Sequence, residues 1–470
     1  MIQRIALNPV TRIRGFMEVE TTIDNNRVVN AKSKGLLFQG GKKILSNRNP
    51  FDVVYSTQDI CQICSTAHYV ASSVALENAI GVAPSQQERY FRDILQGCDF
   101  LQNHIRHFYQ YTMTDFVKLP ENFSFCEAEH KDFRLPEDKN SEIAEHYFES
   151  LNIIRSIQEI LVLLEGKASN SYRVSIGSIV ANIAMDKIIA IKYFLHKIRQ
   201  FIAERMIPDV FTIAQYYSDY YKIGRGCCNF LSYGCFCGYK EFGTLYVNPG
   251  AYIKGKETSF DSAKITEETD YSSYIDKKEY YKARAATSGE ESGNSIEYLW
   301  IKTPRYNGLS CEVGPLARQW LSGDYRNGTS TMDRIIARVL EAKKIVEIIE
   351  VLIENLNPKG TCRKEYVIPF HSEGAGYIDT AKGALSHWIK IDNGNISFYR
   401  IITPSAWNLS TRINNGMMGT AEQALVGTSI QNIENPVELG RIIRSFDPCV
   451  SCTTHVYSQG ECVKTIKVIP

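Results

Sequence analysis

Two cysteine pairs, Cys61-Gln-Ile-Cys64 near the start and Cys449-Val-Ser-Cys452 near the end, constrain this 470-residue chain more than any other feature. Each pair reads C-x-x-C with a histidine just beyond it, His68 and His455. Four soft thiolates suit zinc, iron-sulfur, or nickel with iron. If all four bind one centre, the two ends of the chain must fold back to the same place. A structural zinc site is a simpler alternative, but zinc ribbons bring both pairs close together in sequence. Buried thiols that act as small hydrophobes are another.

A chain of this length exceeds the size at which one hydrophobic core stops growing, so two or more packed lobes are expected. Its hydrophobic fraction of 44% and charged fraction of 22% are those of a globular protein, and its formal net charge is only +1. That balance carries no electrostatic footprint for nucleic acid or an anionic membrane, and no nucleic-acid partner is expected. No apolar run reaches the roughly 18 residues of a membrane span, and the N-terminus lacks the apolar stretch of a secretory signal. The expectation is a chain that neither spans a membrane nor directs its own export. Its 13 cysteines are odd in number and scattered, which fits reduced thiols and metal ligation better than a disulfide framework.

Residues 1 to about 35 alternate β-branched and polar residues around Asp24-Asn25-Asn26, which predicts a hairpin in a β-rich segment 1–57. Helical spacing begins after Gln58 and recurs at 86–112, 141–166, 183–206 and 330–356. Segment 58–250 therefore reads as a helical core holding the first metal motif. Residues 251–300 are rich in Lys, Glu, Asp, Ser and Tyr with little apolar period, as expected of a solvated insertion or lid. Segment 301–455 reads as α+β with the second metal motif and a hairpin turning at Asn393-Gly394, and 456–470 as a C-terminal extension. The fold class expected is helix-dominated, multi-lobed α+β, with a central bundle of long helices and small peripheral sheets.

Five stretches, in order, carry a resemblance. They are Asn8-Pro-Val-Thr-Arg-Ile13; Ile60-Cys61-Gln-Ile-Cys64-Ser-Thr-Ala-His68; Glu312-Val-Gly-Pro-Leu-Ala-Arg318 after Tyr306-Asn-Gly; Lys382-Gly383 through His387-Trp388 with Thr403-Pro404-Ser405 and Trp407-Asn408; and Asp447-Pro448-Cys449-Val-Ser-Cys452-Thr-Thr-His455. Together they resemble the large subunit of nickel-iron hydrogenases along nearly the whole chain, which is identified as a divergent member in precursor form. The resemblance implies a nickel ion held by four thiolates, Cys61 and Cys449 terminal, Cys64 and Cys452 bridging to an iron that carries carbon monoxide and cyanide. It implies reversible cleavage of dihydrogen to protons and electrons, with Cys449 taking up a proton beside the metal. It places His68 and Pro404 at the cofactor, Ser405 as a hydrogen-bond donor to a cyanide nitrogen, and Asp115, Lys382 and Asp447 around the site. No further cysteine spacing matches a ferredoxin-type cluster, so the electrons leave through a separate iron-sulfur small subunit. The resemblance also implies nickel-insertion proteins and a protease that removes residues 456–470 after His455.

Departures from the family pattern are specific. The family's R-I-E-G-H is Arg12-Ile13-Arg14-Gly15-Phe16 here, which replaces a glutamate by a cation, and Asp59 stands where an arginine is usual. Lys382 replaces the arginine over the metal site, keeping the charge but losing the guanidinium fork and gaining a deprotonable amine. Lys42 stands where a glutamate commonly joins the terminal histidine in binding magnesium, so that ion is not carried over to His455. Competing readings are a hydrogen sensor, a relative resembling respiratory complex I, whose branch lacks the cysteine pairs, and a zinc-stapled interaction protein. A second thiol group, Cys227-Cys228 with Cys235 and Cys237, could hold zinc or an iron-sulfur centre but lacks a histidine at a standard spacing. His104 and His107 read as packed or surface residues.

Overall fold

The computed structural model describes residues 3–10, 17–35, 45, 47–60, 64–120, 130–165, 174–175, 178–179, 184–268, 303–357, 366–413, 416–449, 452–458 and 461–468. Its first hairpin is the one expected. Strands Met17–Asp24 and Arg27–Gly35 are joined by Asn25 and Asn26, both with positive φ (48° and 60°), the backbone that a two-residue hairpin turn requires. These strands belong to a five-stranded antiparallel sheet that also takes in Gln3–Val10, Cys452–Ser458 and, outermost, Glu461–Val468. Ala6 lies opposite His455, and Val10 opposite Cys452. The two ends of the chain therefore meet in one sheet.

Helices form the body. Ser65–Ile80, Gln86–Arg106, Glu137–Glu165, Met185–Phe201 and Thr331–Glu354 match the stretches with helical spacing. Two start on reciprocal capping boxes, Ser85 with Glu88 and Ser330 with Asp333, which satisfy otherwise orphaned N–H groups. The helix Gln86–Arg106 runs on into a π turn at His107–Thr112 and a 3-10 turn at Met113–Asp115. Gly97 lets this helix lie close against Thr331–Glu354, because a Cβ there would meet Ile349 Cγ1 at 2.7 Å.

A three-stranded meander, His371–Thr380, Gly383–Asp392 and Asn395–Ile402, turns at Asn393-Gly394 as the sequence predicts. Its first strand lies directly on the helix Ser65–Ile80. Ala71, Ala75 and Ala79 recur every four residues on that helix and face Gly374 and Gly376. A Cβ on either glycine would collide with the helix backbone, at Ala75 O or Ala71 O. Elsewhere, Val19, Ile23, Val28 and Ala31 of the N-terminal sheet pack on Leu439, Ile442 and Phe446, on and just after the helix Val437–Ser445 that leads into the second cysteine motif.

The region expected to be a solvated insertion starts with order. Lys256–Ser259 is an exposed edge strand paired with Gly250–Ile253, and Ile265–Glu268 pairs with Thr303–Tyr306. A strand exposed at every position has no apolar period to betray it. Residues 269–300 lie outside the described residues. The tail read as removable forms the outermost strand in the full chain.

The contact between helix and meander sets the position of the first cysteine motif, so it is the place to perturb. Gly376→Ala should destabilise the protein by about 1–3 kcal/mol through overpacking, read from denaturant midpoints. An unchanged midpoint would show that the two backbones have room to spare.

Candidate metal centre

Cys64 caps the helix Ser65–Ile80, where the partial positive charge of the helix start favours a thiolate. Its Sγ lies 3.8 Å from Cys449 Sγ, although 385 positions separate the two residues. That separation is far too long for a disulfide, at roughly 2.05 Å. It is the distance expected for two sulfurs on one tetrahedral metal with bonds of about 2.3 Å, which span roughly 3.8 Å. The donor chemistry and its spacing thus fit a thiolate-bound metal.

Cys449 is held from the other side as well. Its N–H donates to Ser405 Oγ at 3.0 Å, which leaves the serine proton free to be donated in turn. Ser405 sits on the short helix Pro404–Asn408, begun by Pro404 at its first position and capped by Thr403. Asn408 anchors that helix to the Glu312–Arg318 stretch: it accepts from Val313 N and donates to Val313 O, both at 2.9 Å.

The Glu312–Arg318 stretch in turn fixes Lys382. Gly314 (φ 114°) and Gly383 (φ 130°) lie back to back, and a Cβ on Gly314 would sit 2.9 Å from Lys382 O. Arg318 donates to the carbonyls of Thr380 (2.9 Å) and Ala381 (3.3 Å), just before Lys382. Arg318 is itself clamped by Glu341 through two bonds of 2.7 Å.

Lys382 Nζ donates to Asp447 Oδ1, two residues before Cys449. Arg338 Nη1 donates to Asp447 Oδ2 at 3.0 Å. Asn103, with its amide oriented to match its partners, donates to Asp447 Oδ2 at 2.9 Å and accepts from Lys382 Nζ at 3.3 Å. Burial alone would push the Asp447 carboxyl up, but Lys382 and Arg338 outweigh it and hold the group well below the usual carboxylate range. His107 Nε2 donates to Arg444 O at 2.7 Å, so its Nδ1 is the atom that accepts from Thr112 Oγ1 at 3.2 Å. Burial, with Arg338 beside it, keeps His107 neutral.

His68 begins a buried chain of hydrogen bonds. Its Nδ1 is 3.0 Å from His387 Nε2, His387 Nδ1 is 2.7 Å from Tyr399 Oη, and Tyr399 donates to Ser72 Oγ at 2.7 Å. Burial lowers the His68 pKa to about 4 against the opposing pull of Cys449, so the ring is neutral at pH 7 and the thiolate lies within its electrostatic reach.

The structure corrects one expected member of the site. Asp115 does not join Lys382 and Asp447, because Arg444 takes both its carboxylate oxygens at 2.5 and 2.7 Å, and Arg441 donates to its carbonyl. The π turn and the 3-10 turn after Arg106 carry it toward the helix Val437–Ser445 instead. Cys61, Lys42 and Arg14 lie outside the described residues, while Cys452 and His455 are placed only by their positions on the strand Cys452–Ser458.

Arg338, Asn103 and Asp99 escaped sequence reading. Each sits on a long helix where a polar residue resembles part of a solvated face. His104, read as either packed or surface, is buried between Glu341 (2.7 Å) and Arg338 (3.2 Å). Cys227, Cys228, Cys235 and Cys237 are free thiols, and among the described residues they do not come together as a metal site.

The sequence profile of the nickel-dependent hydrogenase family matches residues 39–124, 121–329 and 321–455. The periplasmic [NiFeSe] hydrogenase large subunit of Desulfomicrobium baculatum is 28% identical, over 96% of this chain and 95% of that protein. The hydrogenase-2 large chain of Escherichia coli K12 is 29% identical over the full length of both. The reduced Ni-Fe-Se hydrogenase from D. vulgaris Hildenborough has a similar structure, with a TM-score of 0.85 and 31% identity, covering 96% of this chain and 99% of that one. The chain therefore belongs to the nickel-dependent hydrogenases, as a divergent large, catalytic subunit of an oxidoreductase that acts on dihydrogen.

Proposed function

We propose that Cys61, Cys64, Cys449 and Cys452 hold the nickel-iron centre of this hydrogenase, with Cys61 and Cys449 terminal on nickel and Cys64 and Cys452 bridging to iron. The 3.8 Å separation of Cys64 and Cys449 carries the reading. When bound, the centre supplies heterolytic cleavage of dihydrogen and uptake of its electrons. Carbon monoxide and cyanide complete the iron, and the free Ser405 proton suits a cyanide nitrogen.

The protein's own groups handle the proton and the surroundings. Cys449 receives the first proton as a base beside the metal, and Lys382, bonded to Asp447 two residues before it, is a cation able to hold and release one at Nζ. Asp447 fixes that ammonium in place. Neutral His68 adds no charge that would compete with the proton. The electrons leave to an iron-sulfur small subunit, the partner that large-subunit relatives imply.

Maturation ends with removal of residues 456–470 by a dedicated protease once nickel-insertion proteins have loaded the site. The family match, which stops at residue 455, supports this. Cleavage there would remove the outermost strand Glu461–Val468 and the pairings of Val456 and Tyr457 with Ile5 and Arg4, and would leave Ala6 opposite His455 and Val10 opposite Cys452.

Three measurements test the reading. Cys449→Ser, or the same change at any of the other three cysteines, should abolish nickel retention in elemental analysis; full nickel content in any of these variants contradicts the ligand set. Lys382→Met should keep nickel and iron yet lower dihydrogen oxidation by about 100-fold, the scale of a lost acid-base group, and full activity would remove Lys382 from the mechanism. Intact-mass spectrometry of active, nickel-loaded protein should find a chain ending at His455, and a species retaining residues 456–470 would sink the maturation step.

A further inference from the structure

The helix Gln86–Arg106 brings a second group to the site besides Asn103. Asp99 precedes Asn103 by one turn and Arg106 by two, so the three side chains share a face. The bonds of Asn103 to Lys382 and Asp447 fix where that face points.

The acids nearby differ in how fully they are committed. Asp447 accepts from Lys382, Arg338 and Asn103. Asp115 spends both oxygens on Arg444. Glu341 accepts from Arg318, Tyr246 and His104. Asp99 is half-buried and accepts no hydrogen bond from any described residue. The charged groups that act on it are Lys382 and Arg106, which favour its carboxylate, and Cys449, which opposes it.

We propose that Asp99 is the proton acceptor that relieves Lys382 and carries the proton away from the metal centre. No ion pair or hydrogen bond joins Lys382 Nζ to Asp99, so the transfer runs through water: one N–H bond of the Lys382 ammonium breaks as water takes that proton, and an O–H bond forms on Asp99 as water gives one up, leaving a neutral amine and a carboxylic acid with no change in oxidation state. The acid then releases its proton to water at its half-exposed edge. Asp447 is poorly suited to this task, because protonating it would break charge-assisted bonds to Lys382 and Arg338. Asp99 gives up no bond on accepting. Burial also raises its pKa to about 7, where a group accepts and releases protons with comparable ease.

This inference rests on the hydrogenase reading, and the test separates the two. Infrared difference spectra of the holoenzyme between about pH 5 and about pH 9 should show a carboxylic C=O band that titrates near neutrality. Asp99→Asn should lose that band, keep its nickel, iron and melting temperature, and turn over about 10- to 100-fold more slowly. Asp99→Glu should recover part of the rate. A variant Asp99→Asn with unchanged turnover, or with the band still present, overturns the proposal. So does one that fails to load metal, since Asp99 would then be structural. Absence of nickel from the wild-type protein would instead overturn the hydrogenase reading, and this proposal with it.

Discussion

Everything around the site depends on satisfying one buried carboxylate. Asp447 sits at a left-handed backbone position (φ 51°) and is 5% exposed. A lone carboxylate there would cost several kcal/mol in lost hydration. It is tolerated because Lys382 from the meander, Arg338 from the helix Thr331–Glu354 and Asn103 from the helix Gln86–Arg106 converge on it. Three elements distant in sequence must therefore be in place before Asp447 can be buried. Once it is buried, Cys449, two residues on, has little freedom left.

The opposite side of the centre is fixed by contact of a different kind. No charge joins the helix Ser65–Ile80 to the strand His371–Thr380 at Gly374 and Gly376; bare backbone lies on bare backbone. Such an interface tolerates almost no displacement, since interiors are packed as densely as organic crystals. Cys64 and His68 lie at the start of that helix, so their positions follow from it. The thiol pair spans the gap between a charge-determined half and a packing-determined half.

Local features could be read from the sequence, and convergent ones could not. The turns at Asn25-Asn26 and Asn393-Gly394 announce themselves because few residues adopt positive φ. The long helices do so through apolar spacing, and the cysteine pairs through their repetition. Asp115 misled because its place in the chain says nothing about the π turn that swings it onto Arg444. Arg338 lies among apolar neighbours in Ile335-Ile-Ala-Arg-Val-Leu340, where nothing local reveals that its partner is Asp447, 109 positions away. Asp99 gives no signal at all: an acid in a polar-apolar alternation looks solvated until Lys382 and Cys449 are placed beside it.

Lysine in place of the family's arginine changes how the cation is held more than whether it is there. An ammonium has three N–H groups, and Lys382 Nζ meets three acceptors: Asp447 Oδ1, Asn103 at 3.3 Å and the Asp447 carbonyl at 3.5 Å. One contact is close and charge-assisted, and the other two are long. The proton facing Asp447 is therefore the firmly held one, while the remaining two sit in weak bonds that break at little cost. A guanidinium could not divide its protons this way, because its donors are locked in one plane and it stays protonated throughout the working pH range. Loss of any one of the three protons would leave the buried Asp447 with Arg338 as its one charged partner among the described residues, so anchoring and proton transfer are coupled through one nitrogen, and a proton that leaves Nζ must be replaced.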